Sequence, residues 1–205
     1  MENLRLESIK KLIKEKSLTH ILISDLADVE YLSGFRSSNA LLLISNKKNI
    51  LFSDFRYKGA AETFCQKNPQ WNFQLVKERL YSSICAFMDD RSVCGFQAND
   101  LSVENFDDLQ KSGCNIRFVK LSSEISDIFM QKTSDEIASM KKAAKIGDSA
   151  FEQLLKNIET GMTEAQLASN LESICRDLGS EKPSFETITL FGSRAALPHG
   201  RPGKR

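Results

Sequence analysis

The chain has 205 residues, of which 41% are hydrophobic and 27% charged, and its formal net charge is +1. This composition is that of a globular protein, and the length allows one large domain or one domain and part of another. The nearly neutral charge argues against a nucleic-acid partner or a charged membrane surface. Because no segment has the roughly 20 apolar residues of a membrane span, and the N-terminus lacks a signal-peptide core, we expect a cytoplasmic protein.

The first part of the chain alternates between strand and helix patterns. An amphipathic helix opens it, with Leu6, Ile9 and Ile13 on one face. The predicted strands are residues 19–25, 40–45, 50–53, 72–76, 92–96 and 116–121, and the later predicted helices are 57–65, the stripe from Leu80 to Met88, and 102–113. A short polar turn separates the second strand from the third, which predicts a β-hairpin. The alternation predicts an α/β domain over residues 1–125.

The pattern changes near residue 131, where two amphipathic helices follow one another. Capping boxes at Thr133 and Thr163 predict where these helices begin. Apolar residues follow each box at spacings of three and four, so we expect both stripes to face a core. Residues 185–190 then alternate as a strand. Since two helices and one strand leave the strand's backbone groups without partners, residues 131–205 are predicted to be an incomplete second domain.

Few residues point to catalysis by themselves. The sequence contains no GxSxG, HExxH or glycine-rich phosphate-binding motif. His20 opens a predicted strand, where we expect a structural role, whereas His199 lies in a loop between Pro198 and Gly200. Such loops often display functional residues, so the residues alone leave His199 open between a site residue and an ordinary loop histidine. The five cysteines are scattered without a CxxC pair, which favours buried thiols over a zinc site or disulfides.

Six motifs, in chain order, resemble those of the Xaa-Pro metallopeptidases, the family of prolidases and aminopeptidases P. They are YLSGF at 31–35, DFRY at 54–57, KTSDEI at 132–137, GMTE at 161–164, SFETI at 184–188 and LPHG at 197–200. Each motif is weak alone, but together they cover nearly the whole chain. The resemblance implies a creatinase-type N-terminal domain over residues 1–125, with a mixed sheet flanked by helices. It also implies that residues 131–205 are the start of an α+β pita-bread catalytic domain.

The resemblance further implies a function for a longer parent protein. The parent would hydrolyse the peptide bond that precedes proline, with two divalent metal ions (manganese, cobalt or zinc), and would form a homodimer. His199 matches a catalytic, substrate-binding histidine of the family. Phe185 matches a substrate-pocket position that some relatives fill with tyrosine.

The family's metal ligands are two aspartates, a histidine and two glutamates, and all of them follow the LPHG loop. The resemblance therefore implies a pita-bread domain truncated before its metal ligands. We expect the 205-residue chain to bind no metal and to be inactive alone. It would be the product of a truncated gene, a recombinant segment or a proteolytic fragment.

Two other functions stay open. Pita-bread domains without metal ligands resemble those of some histone-chaperone subunits, which bind peptides and do not cut them. Creatinase, an amidinohydrolase, has the same fold. The intact LPHG loop favours an enzyme over a binding module, and the proline in that loop favours a peptidase over creatinase.

Overall fold

The computed structural model describes residues 4–77, 79–111, 115–121 and 123–204. The chain divides into two units, residues 1–131 and 132–205. The first unit contains all the described strands, and the second contains the two longest described helices. None of the described helices combines the length and the apolar character needed to cross a membrane.

One mixed sheet of six strands forms the centre of the first unit. The strands are β1 (His20–Ile23), β2 (Ala40–Ser45), β3 (Asn49–Ser53), β4 (Asn72–Leu75), β5 (Val93–Gln97) and β6 (Arg117–Leu121), in the spatial order β4-β3-β2-β1-β5-β6. Strand β2 is antiparallel to both β1 and β3, and the other pairs are parallel. The predicted β2–β3 hairpin and mixed sheet are therefore confirmed.

Helices cover both faces of this sheet. They are α1 (Leu4–Glu15), α2 (Leu26–Ser33), α3 (Lys58–Lys67), α4 (Val103–Lys111) and α5 (Glu124–Met130). Leu42 and Ile44 of β2 lie in one core cluster with α1, whereas Leu41 and Leu43 lie in a second cluster with α4. Because both faces are covered, consecutive residues of β2 are all apolar, as is usual for a strand that is buried on two sides.

The predictions for the helices of this unit had mixed outcomes. Helices α1, α3 and α4 are confirmed, and the predicted cap residue Gly113 lies outside the described residues. The helix predicted from Leu80 to Met88 is wrong, because this segment forms turns and a 3-10 turn at Ile84–Phe87. Ser83 makes no side-chain cap bond there, and Ile84 is fully buried under the sheet. The spacing of apolar residues in this segment therefore reflects buried side chains and not an α-helix.

Helix α2 was not predicted, although the sequence contains both of its end signals. The Asp25 carboxylate accepts hydrogen bonds from the N–H groups of Ala27 (2.8 Å) and Asp28 (3.0 Å). Gly34 ends the helix at a φ of 81°, which is a left-handed conformation that glycine adopts without a steric penalty. Helix α5 was not predicted either, and it packs through Ile125 and Phe129 into the same cluster as α1.

The second unit consists of helices α6 (Ser134–Lys156) and α7 (Glu164–Asp177), followed by extended and turn segments. Both predicted capping boxes are confirmed, with the Thr133 N–H bonded to Glu136 at 2.8 Å and the Thr163 N–H bonded to Gln166 at 2.9 Å. Each threonine hydroxyl accepts the reciprocal bond in the first turn. These local bonds set where the two helices begin.

Two predictions for the second unit are wrong. Residues 185–190 form no strand, because the described part of residues 132–204 contains no strand that could pair with them. The apolar stripe of α6 is also mostly exposed: Met140 is 58% exposed and Phe151 is 57% exposed. Only Ala150 and Leu154 of that helix are buried. In the described chain, the rest of this stripe has no core to face.

Candidate functional site

The loop that carries His199 is hydrogen-bonded at both of its ends to Glu164, the first residue of α7. One carboxylate oxygen of Glu164, Oε1, accepts a hydrogen bond from the N–H of Phe191 at 3.0 Å. The other oxygen, Oε2, accepts one from the N–H of Gly203 at 2.9 Å. A single side chain thus bonds to both ends of the segment 191–203, which we call the His199 loop.

Arg194 adds a third contact to the same carboxylate. Its Nε donates to Glu164 Oε1 at 3.1 Å, and its terminal nitrogen donates to the carbonyl oxygen of Arg201 at 2.8 Å. The guanidinium therefore links the Glu164 carboxylate to the part of the His199 loop that follows His199. Hydrogen bonds in which both groups are charged are shorter and stronger than neutral ones, so this pair is suited to hold the loop closed.

The surroundings of Glu164 stabilise its ionised form. Its side chain is fully buried, and it lies in the first turn of α7, where the helix dipole favours a negative charge. The N–H of Phe191 holds the pKa of the Glu164 carboxyl below its ordinary value, and the N–H of Gly203 and the guanidinium of Arg194 act in the same direction. Burial opposes this shift. The carboxylate is thus ionised and has hydrogen-bond donors at both oxygens.

Backbone contacts fix the same two ends of the loop. The hydroxyl of Thr189 donates to the carbonyl oxygen of Glu164 at 2.7 Å. The N–H of Ala165 donates to the carbonyl oxygen of Gly203 at 3.0 Å. These bonds use backbone groups of the first helical turn, so the N-terminal turn of α7 supports both ends of the loop.

His199 lies within the His199 loop, eight residues after Phe191 and four before Gly203. The segment passes through a 3-10 turn at Gly192–Ala196 and a turn in which the N–H of Gly200 bonds to the carbonyl of Leu197 at 3.4 Å. A Cβ atom on Gly200 would collide with a methyl group of Leu190 unless that side chain moved, so the loop packs closely there. The neighbouring His199 is exposed.

Phe185 and His199, the two predicted site residues, line the same groove. Its volume is about 820 Å³, and its floor comes from α7. The Thr187 hydroxyl donates to the Glu172 carboxylate of α7 at 2.6 Å, which fixes the wall that carries Phe185. The lining residues are Ala168, Glu172, Phe185, Glu186, Thr187, Ile188, Pro198, His199, Gly200, Arg201 and Pro202. Residues that are distant in sequence thus meet at one concave surface.

The described residues do not fit a metal centre. Among them, no group of three or more histidine, cysteine, aspartate or glutamate side chains could hold a metal ion. At the groove, Glu186 forms an ion pair with Arg201 at 3.4 Å, and Glu172 accepts from Thr187. The donor set of this groove is therefore suited to hydrogen bonding and does not match a site for two divalent ions.

The motifs of the first unit have structural contacts. The Asp54 carboxylate accepts from Arg56 and from Asn39, at 2.7 Å in each case, and the Arg56 bond holds the pKa of Asp54 below its usual range. The hydroxyl of Tyr57 accepts from the N–H of Ser38 at 2.9 Å. These bonds join the end of β3 to the segment before β2.

The other residues considered from the sequence are His20 and the cysteines, and of those that are described only Cys175 lies in the second unit. His20 opens β1 with its Nδ1 at 2.9 Å from the Thr19 hydroxyl, and burial lowers its pKa. Four described cysteines are free thiols, of which Cys85 and Cys94 are buried. Cys114 lies outside the described residues.

Glu164 was not predicted as a site residue. It belongs to the GMTE motif and follows a capping threonine, and neither pattern assigned it a role at the site. The sequence contained no further signal, because its partners follow 27 to 39 residues later.

Comparison with known families assigns both parts of the chain. The Creatinase/Prolidase N-terminal domain matches residues 5–128, and metallopeptidase family M24 matches residues 138–205. The Xaa-Pro dipeptidase of Pyrococcus furiosus is 29% identical over 202 residues, which are 96% of this chain and 55% of that protein. The chain therefore spans little more than half the length of this relative.

Solved structures agree with the family assignment. The X-Pro aminopeptidase of Thermotoga maritima has a TM-score of 0.82 and 26% identity, and the match covers 98% of this chain and 56% of that one. The N-terminal domain of a cytoplasmic peptidase of Mycobacterium tuberculosis has a TM-score of 0.53 and 26% identity, with 62% of this chain and 99% of that one covered. The chain thus belongs to the creatinase/prolidase family, with that family's N-terminal domain followed by a region of metallopeptidase family M24.

Proposed function

We propose that this chain is the N-terminal portion of a cytoplasmic Xaa-Pro peptidase that hydrolyses the peptide bond preceding proline. The observation that carries the proposal is the groove shared by Phe185 and His199 within the region that matches the M24 family. Relatives that are named Xaa-Pro dipeptidase and X-Pro aminopeptidase support this substrate class. We further propose that the full-length parent works as a homodimer.

The groove has the surfaces that a proline-containing peptide requires. Phe185, Ile188 and Pro198 provide apolar side chains that can pack against a pyrrolidine ring. The volume of about 820 Å³ lies within the range of roughly 300–1,000 Å³ that is usual for small-ligand sites. We place the proline side of the substrate against these apolar residues, with its carbonyl oxygen towards His199.

His199 would act as a hydrogen-bond donor to the substrate. An exposed imidazole can direct an N–H group at a carbonyl oxygen and at the oxyanion that develops from it. Such a donor stabilises the transition state more than the ground state, so it raises kcat. Phe185 has no hydroxyl group, so its contribution would be limited to apolar packing.

We place the two divalent metal ions of the parent on ligands outside the described residues. The donor set at the groove does not fit them, and metal affinity requires several deprotonated ligands converging on one point. Manganese, cobalt and zinc remain the candidates. The 205-residue chain should therefore not cleave a dipeptide that ends in proline.

The proposal is tested in a chain extended by the downstream segment of a relative, with His199→Ala as the variant. The loss of one transition-state donor should reduce kcat/KM by about 100-fold or more, with metal content unchanged. Ser193→Ala is the matched control, because Ser193 is exposed in the same loop and does not line the groove. It should retain full activity.

Three results would contradict this function. They are full activity of the extended His199→Ala variant, peptidase activity in the 205-residue chain itself, and hydrolysis of creatine in preference to Xaa-Pro dipeptides. Binding of a proline peptide without cleavage by the extended, metal-loaded chain would instead support a non-catalytic binding module.

A further inference from the structure

We infer that Glu164 is a positioning residue, which fixes the His199 loop and thereby sets where the imidazole stands in the groove. Glu164 does not line the groove, so it acts through the loop and not on a substrate. Its importance for catalysis rests on the proposed function of His199. Its role in holding the loop rests only on the contacts of the described residues.

Both ends of the loop depend on the same carboxylate. Phe191 and Gly203 bond to different oxygens of Glu164, at 3.0 and 2.9 Å. Arg194 then joins that carboxylate to the carbonyl of Arg201, two residues beyond His199. Loss of the Glu164 side chain would therefore remove one contact each from the start, the end and the crosslink of the loop, and would leave only the bonds to the backbone of Glu164 and Ala165.

The side chain must be a carboxylate of this length. A glutamine has one acceptor oxygen, and its NH₂ group would face an N–H donor at the other position. An aspartate is one methylene shorter, so its oxygens would not reach both ends from the first turn of α7. An alanine would remove the acceptor of the Phe191 N–H, of the Gly203 N–H and of the Arg194 Nε.

The contacts also explain why the loop can hold His199 in one place. Gly200 packs against Leu190, which precedes the first Glu164 contact. Thr189 is bonded to the backbone of Glu164 itself. Gly200, which follows His199, is in close contact with Leu190, and the carbonyl of Arg201 accepts a hydrogen bond from Arg194. The backbone on the C-terminal side of His199 is thus held by two contacts.

The experiment uses NMR on the 205-residue chain and compares Glu164→Gln and Glu164→Ala with the unaltered protein. The chain has two histidines, so its imidazole signals belong to His20 and His199 alone. Hydrogen exchange at the amides of Phe191 and Gly203 reports the two ends of the loop. Glu152→Gln is the matched control, because Glu152 is an exposed glutamate on α6.

We expect Glu164→Ala to reduce exchange protection at both amides by about tenfold or more. It should also shift the imidazole signals of His199, while those of His20 stay unchanged. In Glu164→Gln, one of the two amides should lose protection and the other should keep it, because the glutamine has one acceptor. Glu152→Gln should alter none of these signals.

Two outcomes would overturn the inference. One is unchanged protection of both amides and unchanged His199 signals in Glu164→Ala. The other is an equal loss of protection throughout α6 and α7, which would make Glu164 a residue that holds the whole unit. Amides of α7 near Ala168, which is buried within the helix, serve as the internal reference for folding.

The same variants in the extended chain separate this inference from the proposed function. Glu164→Ala should lower kcat more than it raises KM, because a displaced imidazole loses contact with the transition state first. If the extended chain has no peptidase activity but Glu164→Ala still releases both amides, the proposed function fails and the positioning role stands. If the extended chain is active and its kcat is unaffected by Glu164→Ala, the positioning role fails.

Discussion

Helices α1 and α6 have the same kind of amphipathic sequence, but their apolar faces have different surroundings. Ile9 and Ile13 of α1 are completely buried against the sheet of the first unit. Met140 and Phe151 of α6 are more than half exposed. Since the spacing of apolar residues is alike in the two helices, it predicts the helix and its apolar face in both. Burial requires, in addition, a second surface, which the described chain provides for the apolar face of α1 but for only two residues of α6.

The first test of this comparison is to express the two units as separate fragments. We expect it to reveal the largest difference in stability between them. We expect residues 1–131 to fold alone, because both core clusters consist of residues from this unit. The isolated N-terminal domain of the mycobacterial relative covers a similar share of the chain. Trp71, the single tryptophan, is buried in this unit, so its emission maximum measures the fold.

The fragment 1–131 should keep the emission maximum and the urea midpoint of the full chain. Residues 132–205 expressed alone should have much weaker helical circular dichroism per residue than a fully folded pair of helices would give. Limited proteolysis of the full chain should cut between residues 121 and 135. A shifted tryptophan emission in the fragment, or equal protection of the junction, would contradict a self-sufficient first unit.

The second test compares one aromatic residue from each unit. Phe52 is fully buried and packs edge-on against Phe87, with ring centroids 5.1 Å apart. Phe52→Ala should therefore lower the free energy of unfolding by about 3–5 kcal/mol. Phe151→Ala, at a residue 57% exposed, should change the unfolding free energy of its own unit by about 0.5 kcal/mol or less.

Urea titrations measure both values. Trp71 emission follows the first unit, and the NMR signals of the α6 and α7 amides follow the second, since the first unit also contains helices. Equal losses in the two variants would show that the α6 stripe is buried in solution. That result would contradict the difference in burial between the aromatic residues of the two units.

The third test uses pH and should have the smallest effect. The pKa of Glu164 is below its ordinary value in the folded chain, so its contribution to stability is present above the unfolded pKa of about 4.3. That contribution is lost as the pH falls through the folded pKa. Exchange protection of the Gly203 amide should therefore fall in acid below about pH 4.3, and Glu164→Gln should remove this pH dependence.

The first unit should respond in a different pH range. Burial lowers the pKa of His20, although Asp89 acts in the opposite direction. The neutral imidazole is favoured on folding, so stability is greatest above the unfolded pKa of about 6.5 and decreases as the pH falls through the folded pKa. His20→Gln should flatten this decrease in the urea midpoint from Trp71. A decrease of equal size in His20→Gln would assign it to another group.

Local features of the fold were predictable from the sequence, and features that depend on distant partners were not. The capping boxes at Thr133 and Thr163 involve residues three positions apart, so the pattern shows both partners. The hairpin of β2 and β3 is similarly local. Residues 185–190 alternate like a strand, but a strand also needs a neighbour, and no pattern within the segment reports whether one is present.

The candidate site was also predictable only in part, because some of its contacts join residues that are distant in the sequence. The family resemblance pointed to His199 and Phe185, which line one groove in the structure, and their roles remain proposals. Glu164 lies in the GMTE motif, but the resemblance gave it no role, and an acid in the first turn of a helix is explained by the helix dipole alone. Its three partners become visible only when the chain from Phe191 to Gly203 returns to that turn.

Thr163 and Glu164 are neighbours in the sequence, but their hydrogen-bond partners are synthesised at different times. The cap of Thr163 is completed three residues later, by Gln166, so α7 can form soon after it is made. The partners of Glu164 arrive much later, since Gly203 follows it by 39 residues. We expect the carboxylate to remain hydrated on a finished helix throughout that interval. Docking of both ends of the His199 loop would then be complete only after Gly203 has been synthesised.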